Sequence, residues 1–151
     1  MMLLQTILAF AVVLGVLVIV HELGHYLVAR WCGVKVLRFS VGMGKVVYSR
    51  RFGADQTEWA VSILPLGGYV KMLDARDDDL DDVSPEDLKR EFTRQSVWRR
   101  IAIVAAGPLA NFLLAIVIFA GLYSYGIPEP APKLRAPAEK SVAYQAGLRG
   151  N

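Results

Sequence analysis

Histidine and cysteine are almost absent from this chain: 151 residues carry two of the first and one of the second. A single cysteine, Cys32, excludes an internal disulfide and fits the reducing side of a membrane. Charge is missing from two long stretches, residues 1–20 and 101–127. No dense Lys/Arg run is interleaved with aromatics, and the net charge of +3 is modest, so nothing here reads as a nucleic-acid interface. No internal repeat is present. The acidic run 77–82 lacks EF-hand spacing and its terminal Glu, which leaves a solvated loop or at most a weak cation site.

What is present is apolar, 54% of the chain, and it is gathered in two blocks. The first block has no positive leading region and no clear small-x-small cleavage site, and its helical pattern runs straight on into polar residues. That argues for a retained membrane helix over about 3–31 rather than a signal peptide, with Arg30 and Trp31 at its far interface. The second span, 101–127, is anchored by Trp98, Arg99 and Arg100 at one end and has Tyr123 and Tyr125 near the other. Between them, residues 30–100 hold 13 of the 17 Lys/Arg and also 11 acidic residues. The positive-inside rule then puts loop 32–100 in the cytoplasm and both termini outside.

Both histidines fall in His21-Glu22-Leu23-Gly24-His25, at the end of the first span. Histidines four apart share one helical face, so both imidazoles can bind one Zn²⁺. Glu22, beside the first, can take a proton from water at the metal. Ionisable groups at membrane depth are costly and usually functional. Cys32 is a poor further ligand: it lies seven residues past His25, about 10 Å along a helix, and reads as a small packing residue.

Gly33 is placed to end the first helix. Residues 34–52, broken by Gly42-Met43-Gly44, read as a β-hairpin. Residues 58–64 and 69–73, joined by Pro65-Leu66-Gly67-Gly68, read as a second. The second is apolar enough to dip into the membrane if protein covers its edges; the other reading is an ordinary sheet on the cytoplasmic face. Ser84-Pro85-Glu86-Asp87 opens a predicted amphipathic interfacial helix running to about Val97. Pro108 should kink or break the second span. Asn111, near membrane depth, either binds substrate or zinc-bound groups or makes a helix–helix hydrogen bond. After Tyr125 a proline-rich linker leads to about fifteen residues, too few for a core of their own.

The expected fold class is therefore membrane α-helical with small β-hairpins. Two transmembrane helices flank a cytoplasmic-side β-rich loop and an interfacial helix. The segments are 1–31, 32–83, 84–100, 101–127 and 128–151.

HELGH, Gly42-Met43-Gly44, Pro65-Leu66-Gly67-Gly68-Tyr69-Val70-Lys71-Met72-Leu73 and Ala106-Gly107-Pro108-Leu109-Ala110-Asn111-Phe112 occur in this order. Together they resemble the site-2 protease family of intramembrane zinc metalloproteases, in its bacterial sigma-E-regulating branch. The resemblance covers about residues 3–127. It implies that His21 and His25 bind zinc and that Glu22 is the general base. It also implies that Gly67, Gly68, Tyr69 and Val70 form a re-entrant β-loop, that Gly42 and Gly44 shape substrate access, and that Asn111 engages substrate. Ala146–Gly150 resembles the start of a periplasmic PDZ domain. The family's third ligand is an aspartate in a Leu-Asp-Gly motif on a later helix; here Leu73-Asp74 is followed by Ala75. The expectation is thus an N-terminal portion of a longer protease, inactive alone. The whole enzyme would cut single-pass membrane proteins of the anti-sigma type in the bacterial inner membrane, with lipid as its other partner. Two other readings are a degenerate protease-like membrane scaffold and a metal transporter using both histidines.

Overall fold

The computed structural model describes residues 1–76, 83–126 and 141–147. Six elements follow one another: α1 (Met2–Trp31), β1 (Val36–Phe52), β2 (Thr57–Met72), α2 (Pro85–Leu88), α3 (Val97–Tyr125) and α4 (Val142–Gln145). The chain divides into two units, Met1–Ile118 and Phe119–Asn151. In the second unit, Ser141 caps α4 by accepting from the Tyr144 N–H at 3.3 Å. The rest of the expected linker and PDZ-like opening lies mostly outside the described residues, as does the acidic run.

Two helices, α1 and α3, are long and apolar enough to cross a membrane, with mean hydropathies of 2.8 and 2.5 over their most apolar windows. Thirty residues make α1 about 45 Å long. Its first half is apolar on every side and stays exposed, from Leu3 and Phe10 to Val13. Its second half is packed. Tyr26, Ala29, Val34, Val36, Phe39 and Ile103 form the buried cluster, with Leu23, Trp59, Val70, Met72 and Phe92 around it. Tyr26, Phe39 and Trp59 meet as three rings, centroids 4.5–5.7 Å apart. α1 stops where expected. Gly33 takes φ +82, its N–H donates to Arg30 O at 3.0 Å, and the Val34 N–H donates to Ala29 O at 2.9 Å, the Schellman pattern. Half-buried Cys32 packs against the core, as a small packing residue would.

The strands lie where the sequence predicts them, but they pair differently. Neither expected hairpin folds on itself. β1 and β2 pair with each other in one sheet in which 46–52 run antiparallel to 57–62, 38–41 parallel to 58–61, and 68–71 antiparallel to 38–41. Residues 46–52 pair with 57–62, while residues 38–41 have partners on both sides, at 58–61 and at 68–71. The reason is burial. Val36, Phe39 and Ser40 are buried, and a buried stretch must satisfy its backbone on both edges. The exposed stretch 46–52 needs one partner and leaves its other edge to solvent. Gly42 and Gly44, at φ +92 and +83, turn β1 back, but its two halves flank residues 58–61 instead of pairing with each other.

The interfacial helix is also corrected. Ser84 caps and Pro85 opens α2 as predicted, but α2 ends at Leu88. The carboxylate of buried Glu91 accepts from the backbone N–H groups of Ala75, Thr93 and Arg94 and from the Thr93 hydroxyl. Gln95 donates to Lys89 O and Glu91 O. Side chains that capture local backbone compete with helix formation. The segment instead docks on the sheet. The Lys35 N–H donates to Arg90 O at 3.0 Å and the Phe92 N–H to Leu73 O at 2.8 Å, while Arg90 grips Asp55 at 2.6 and 2.7 Å. α3 runs unbroken through Pro108. The proline removes only its own N–H, leaving Val104 O without that helical donor.

Glu91 makes the fold acid-sensitive. Burial alone would raise its pKa, but the four donors outweigh that and hold the carboxyl below its ordinary 4.5. Its stabilisation is present above that value and is lost as pH falls through the lower folded-state pKa. Glu91→Gln should lower the melting temperature near neutral pH and flatten its decline on acidification. Parallel wild-type and variant curves between pH 6 and 3 in detergent would sink this assignment.

Candidate metal centre

The last turns of α1 present His21, Glu22 and His25 beside β2 and α3. The two histidines share a face, rings edge to face with centroids 4.8 Å apart and Nε2 atoms 3.2 Å apart. Two nitrogens on one tetrahedral zinc, each about 2.0–2.1 Å from it, would be about 3.3–3.4 Å apart. The pair therefore already has the spacing that ion needs. His25 Nδ1 lies 2.7 Å from Ile103 O. A carbonyl only accepts, so Nδ1 carries the hydrogen and the Nε2 lone pair is left for a metal. The donor set, imidazole nitrogen beside a carboxylate, suits Zn²⁺.

α3 reaches the histidines because the residues between are small. A Cβ added at Gly24 would lie 2.5 Å from Ala106 O and 2.8 Å from Ala110 Cβ, so the helices touch almost backbone to backbone. A Cβ on Gly107 would strike Nε2 of both histidines. From the other side comes β2. A Cβ at Gly68 would lie 2.7 Å from Glu22 Cγ and 3.3 Å from Val18 Cγ1, which puts this glycine directly against the carboxylate's stem. Gly67 faces Met43, whose Cε would be 2.6 Å from an added Cβ, so the two glycine loops meet.

The remaining sequence candidates divide. Val70 lines a cavity of about 310 Å³ together with His25, Met72, Asp74, Phe92 and Ile103. Tyr69 is turned to the sheet, its hydroxyl accepting from Arg38 Nη1 at 3.1 Å, and is not brought to the histidines. Gly42 and Gly44 shape the bend of β1. Asn111 lies one turn beyond Gly107 on α3, and its buried Oδ1 has no hydrogen-bond partner. Asp74, in the cavity wall, is engaged by Arg76 through both carboxylate oxygens, and these bonds hold its carboxyl below the ordinary range. Among the described residues, no group of three or more His, Cys, Asp or Glu is placed to hold a metal. Sequence reasoning missed Ile103, which acts through its backbone and leaves no side-chain signal, and Gly24 and Gly107, whose small size at helix spacing was a readable one.

An HExxH helix of membrane-spanning length, backed by a second apolar helix and faced by a glycine-rich β-loop, has the architecture of a membrane metallopeptidase core. Residues 9–147 match the family model described as Peptidase family M50, and the chain belongs to that family, the site-2 protease family that the motifs resemble. It is 58% identical over 95% of its length to a Ralstonia nicotianae protein whose name provisionally assigns it as a zinc metalloprotease. It is 45% identical over 98% of its length to Protease RseP of Yersinia pestis. It is also 45% identical, over 95% of its length, to the Regulator of sigma E protease of Haemophilus influenzae. These alignments cover 32%, 32% and 31% of the relatives, so the chain spans about a third of their length.

The glycines of the β1 bend differ in what they tolerate. Gly42→Ala adds positive-φ strain and a Cβ 2.8 Å from Ser62 O; Gly44→Ala adds the strain but meets side-chain atoms at an ordinary 3.7 Å. Gly44→Ala should cost about 1–2 kcal/mol, and Gly42→Ala more. Thermal unfolding of the two variants in one detergent checks the order, and equal melting temperatures would contradict it.

Proposed function

We propose that this chain carries the zinc-binding half of an intramembrane metalloprotease that hydrolyses single-pass membrane proteins. The observation that carries the reading is the 3.2 Å pair of Nε2 atoms, with His25 pinned through Nδ1 and Glu22 alongside. His21 and His25 would hold zinc with an acidic ligand from outside the described residues. Zinc bound there supplies a Lewis acid that acidifies water and polarises a carbonyl. Glu22 would accept the proton of the attacking water, held close by the Gly68 contact. Asn111, with its buried Oδ1 unpaired, is placed to bind substrate backbone.

A helical substrate has its carbonyls tied up in i→i−4 bonds and must open before it can be cut. Among the described residues, 68–72 pair in the sheet with residues 36–41. An extended substrate segment would pair with the other edge and be held straight beside Glu22. We place residues 32–100 on the cytoplasmic side and both termini in the periplasm of a bacterial inner membrane, with 128–151 leading into a PDZ-like domain. The sigma E regulators among the relatives favour an anti-sigma factor as substrate class.

In the full-length gene product, Glu22→Gln should keep about one zinc per chain and lose at least about 100-fold in cleavage of a single-span reporter. Turnover within a few-fold of wild type would defeat the base assignment. Proline at Val70 or Met72 should impair cleavage more than folding, and unchanged cleavage would count against strand pairing.

A further inference from the structure

Gly107 is the closest approach of α3 to both imidazoles. An added Cβ would collide with His25 Nε2 and lie 2.7 Å from His21 Nε2 and from His25 Cε1. Those nitrogens are the pair that the zinc reading assigns to the metal, and an atom wedged against both would force them out of the 3.2 Å spacing that suits the ion. We propose that Gly107 is a positioning residue for the metal: lacking a side chain, it leaves the room in which zinc is bound between His21 and His25. The inference rests on the zinc reading above. With the Ile103 carbonyl one turn earlier, α3 serves the site twice. Ile103 sets the tautomer and angle of His25, and Gly107 sets the clearance at its reactive nitrogen.

Helix packing is the competing explanation of a glycine here, and a neighbour separates the two. Gly24 also sits in the α1–α3 contact, but its added Cβ would meet Ala106 O and Ala110 Cβ, atoms of the facing helix. Gly121, farther along α3, has nothing within 4 Å of an added Cβ. Alanine at each position therefore isolates metal clearance, helix packing and simple glycine loss.

The measurement is zinc stoichiometry and affinity, by elemental analysis and chelator competition, on the full-length gene product in detergent. Wild type, Gly107→Ala, Gly24→Ala and Gly121→Ala are compared at matched helicity. Gly107→Ala should weaken zinc binding roughly 10–100-fold. Gly24→Ala should lower the melting temperature most and weaken zinc binding less than Gly107→Ala does, and Gly121→Ala should change neither. Zinc bound by Gly107→Ala with wild-type affinity, or lost equally from Gly24→Ala, overturns the proposal. A wild type that holds no zinc overturns the metal reading itself. If Gly107→Ala does not stay monodisperse, the unaltered protein is loaded with Co²⁺ after labelling glycine carbonyls with ¹³C and proline with ¹⁵N. Gly107-Pro108 is the only Gly-Pro pair within residues 1–151, and in the full-length product its signal is the one that Pro108→Ala removes. Its signal should be broadened or shifted by the paramagnetic ion, and an undisturbed signal overturns the proposal.

Discussion

The hydrogen bond from His25 Nδ1 to Ile103 O joins residues 78 apart, and the geometry of the site depends on it. A free imidazole has two tautomers and rotates about two bonds. One carbonyl acceptor at 2.7 Å removes that freedom, fixing which nitrogen carries hydrogen and where the other points. The acceptor can only be a backbone atom if α3 comes within reach of α1, and that requires small residues at the crossing. Gly24, Ala106, Gly107 and Ala110 are such residues. In a lipid setting, where apolar side chains gain little by leaving one apolar medium for another, close backbone approach is the main source of helix–helix attraction.

The sheet supports the same turn of α1 from the opposite side. Its buried stretch, 36–41, is central and backed by the Tyr26, Phe39 and Trp59 rings. Gly68 at its border presses on Glu22, so the carboxylate stem has β2 on one side and its own helix on the other. Segment 83–96 covers the end of the sheet, through Asp87 on Lys35, Arg90 on Asp55 and Glu91 on the Ala75 N–H. Two elements distant in sequence, α3 and β2, thus converge on five consecutive residues. Each does so through a contact that excludes a side chain or uses a backbone atom.

That explains what the sequence could and could not disclose. The apolar spans, the HELGH face, the Gly33 stop and the Ser84-Pro85 start rest on local chemistry, which acts within one turn and is legible in the letters. The pairing of β1 with β2 was not legible. Gly42–Gly44 and Gly67–Gly68 do mark where the chain doubles back, but nothing local tells that each turn leaves its two halves apart with a segment of the other strand between them. The shortness of α2 was hidden too, because an amphipathic pattern does not reveal that Glu91 will spend its carboxylate on three backbone donors. Asn111 could be named as polar at depth, yet its unpaired Oδ1 emerges only when its neighbours are in place.

The position of the site along α1 follows from the same division. Residues well before it are mostly apolar and exposed, as Leu3, Phe10 and Val13 are, a surface suited to lipid or to other apolar helices. Residues after it are packed against the sheet. Two imidazoles and a carboxylate cannot be left in hydrocarbon unpaired, and water is needed for any hydrolytic step. The border between the two halves is where one helix meets protein walls that orient ionisable groups, beside the cavity that His25 lines with Val70, Met72 and Asp74.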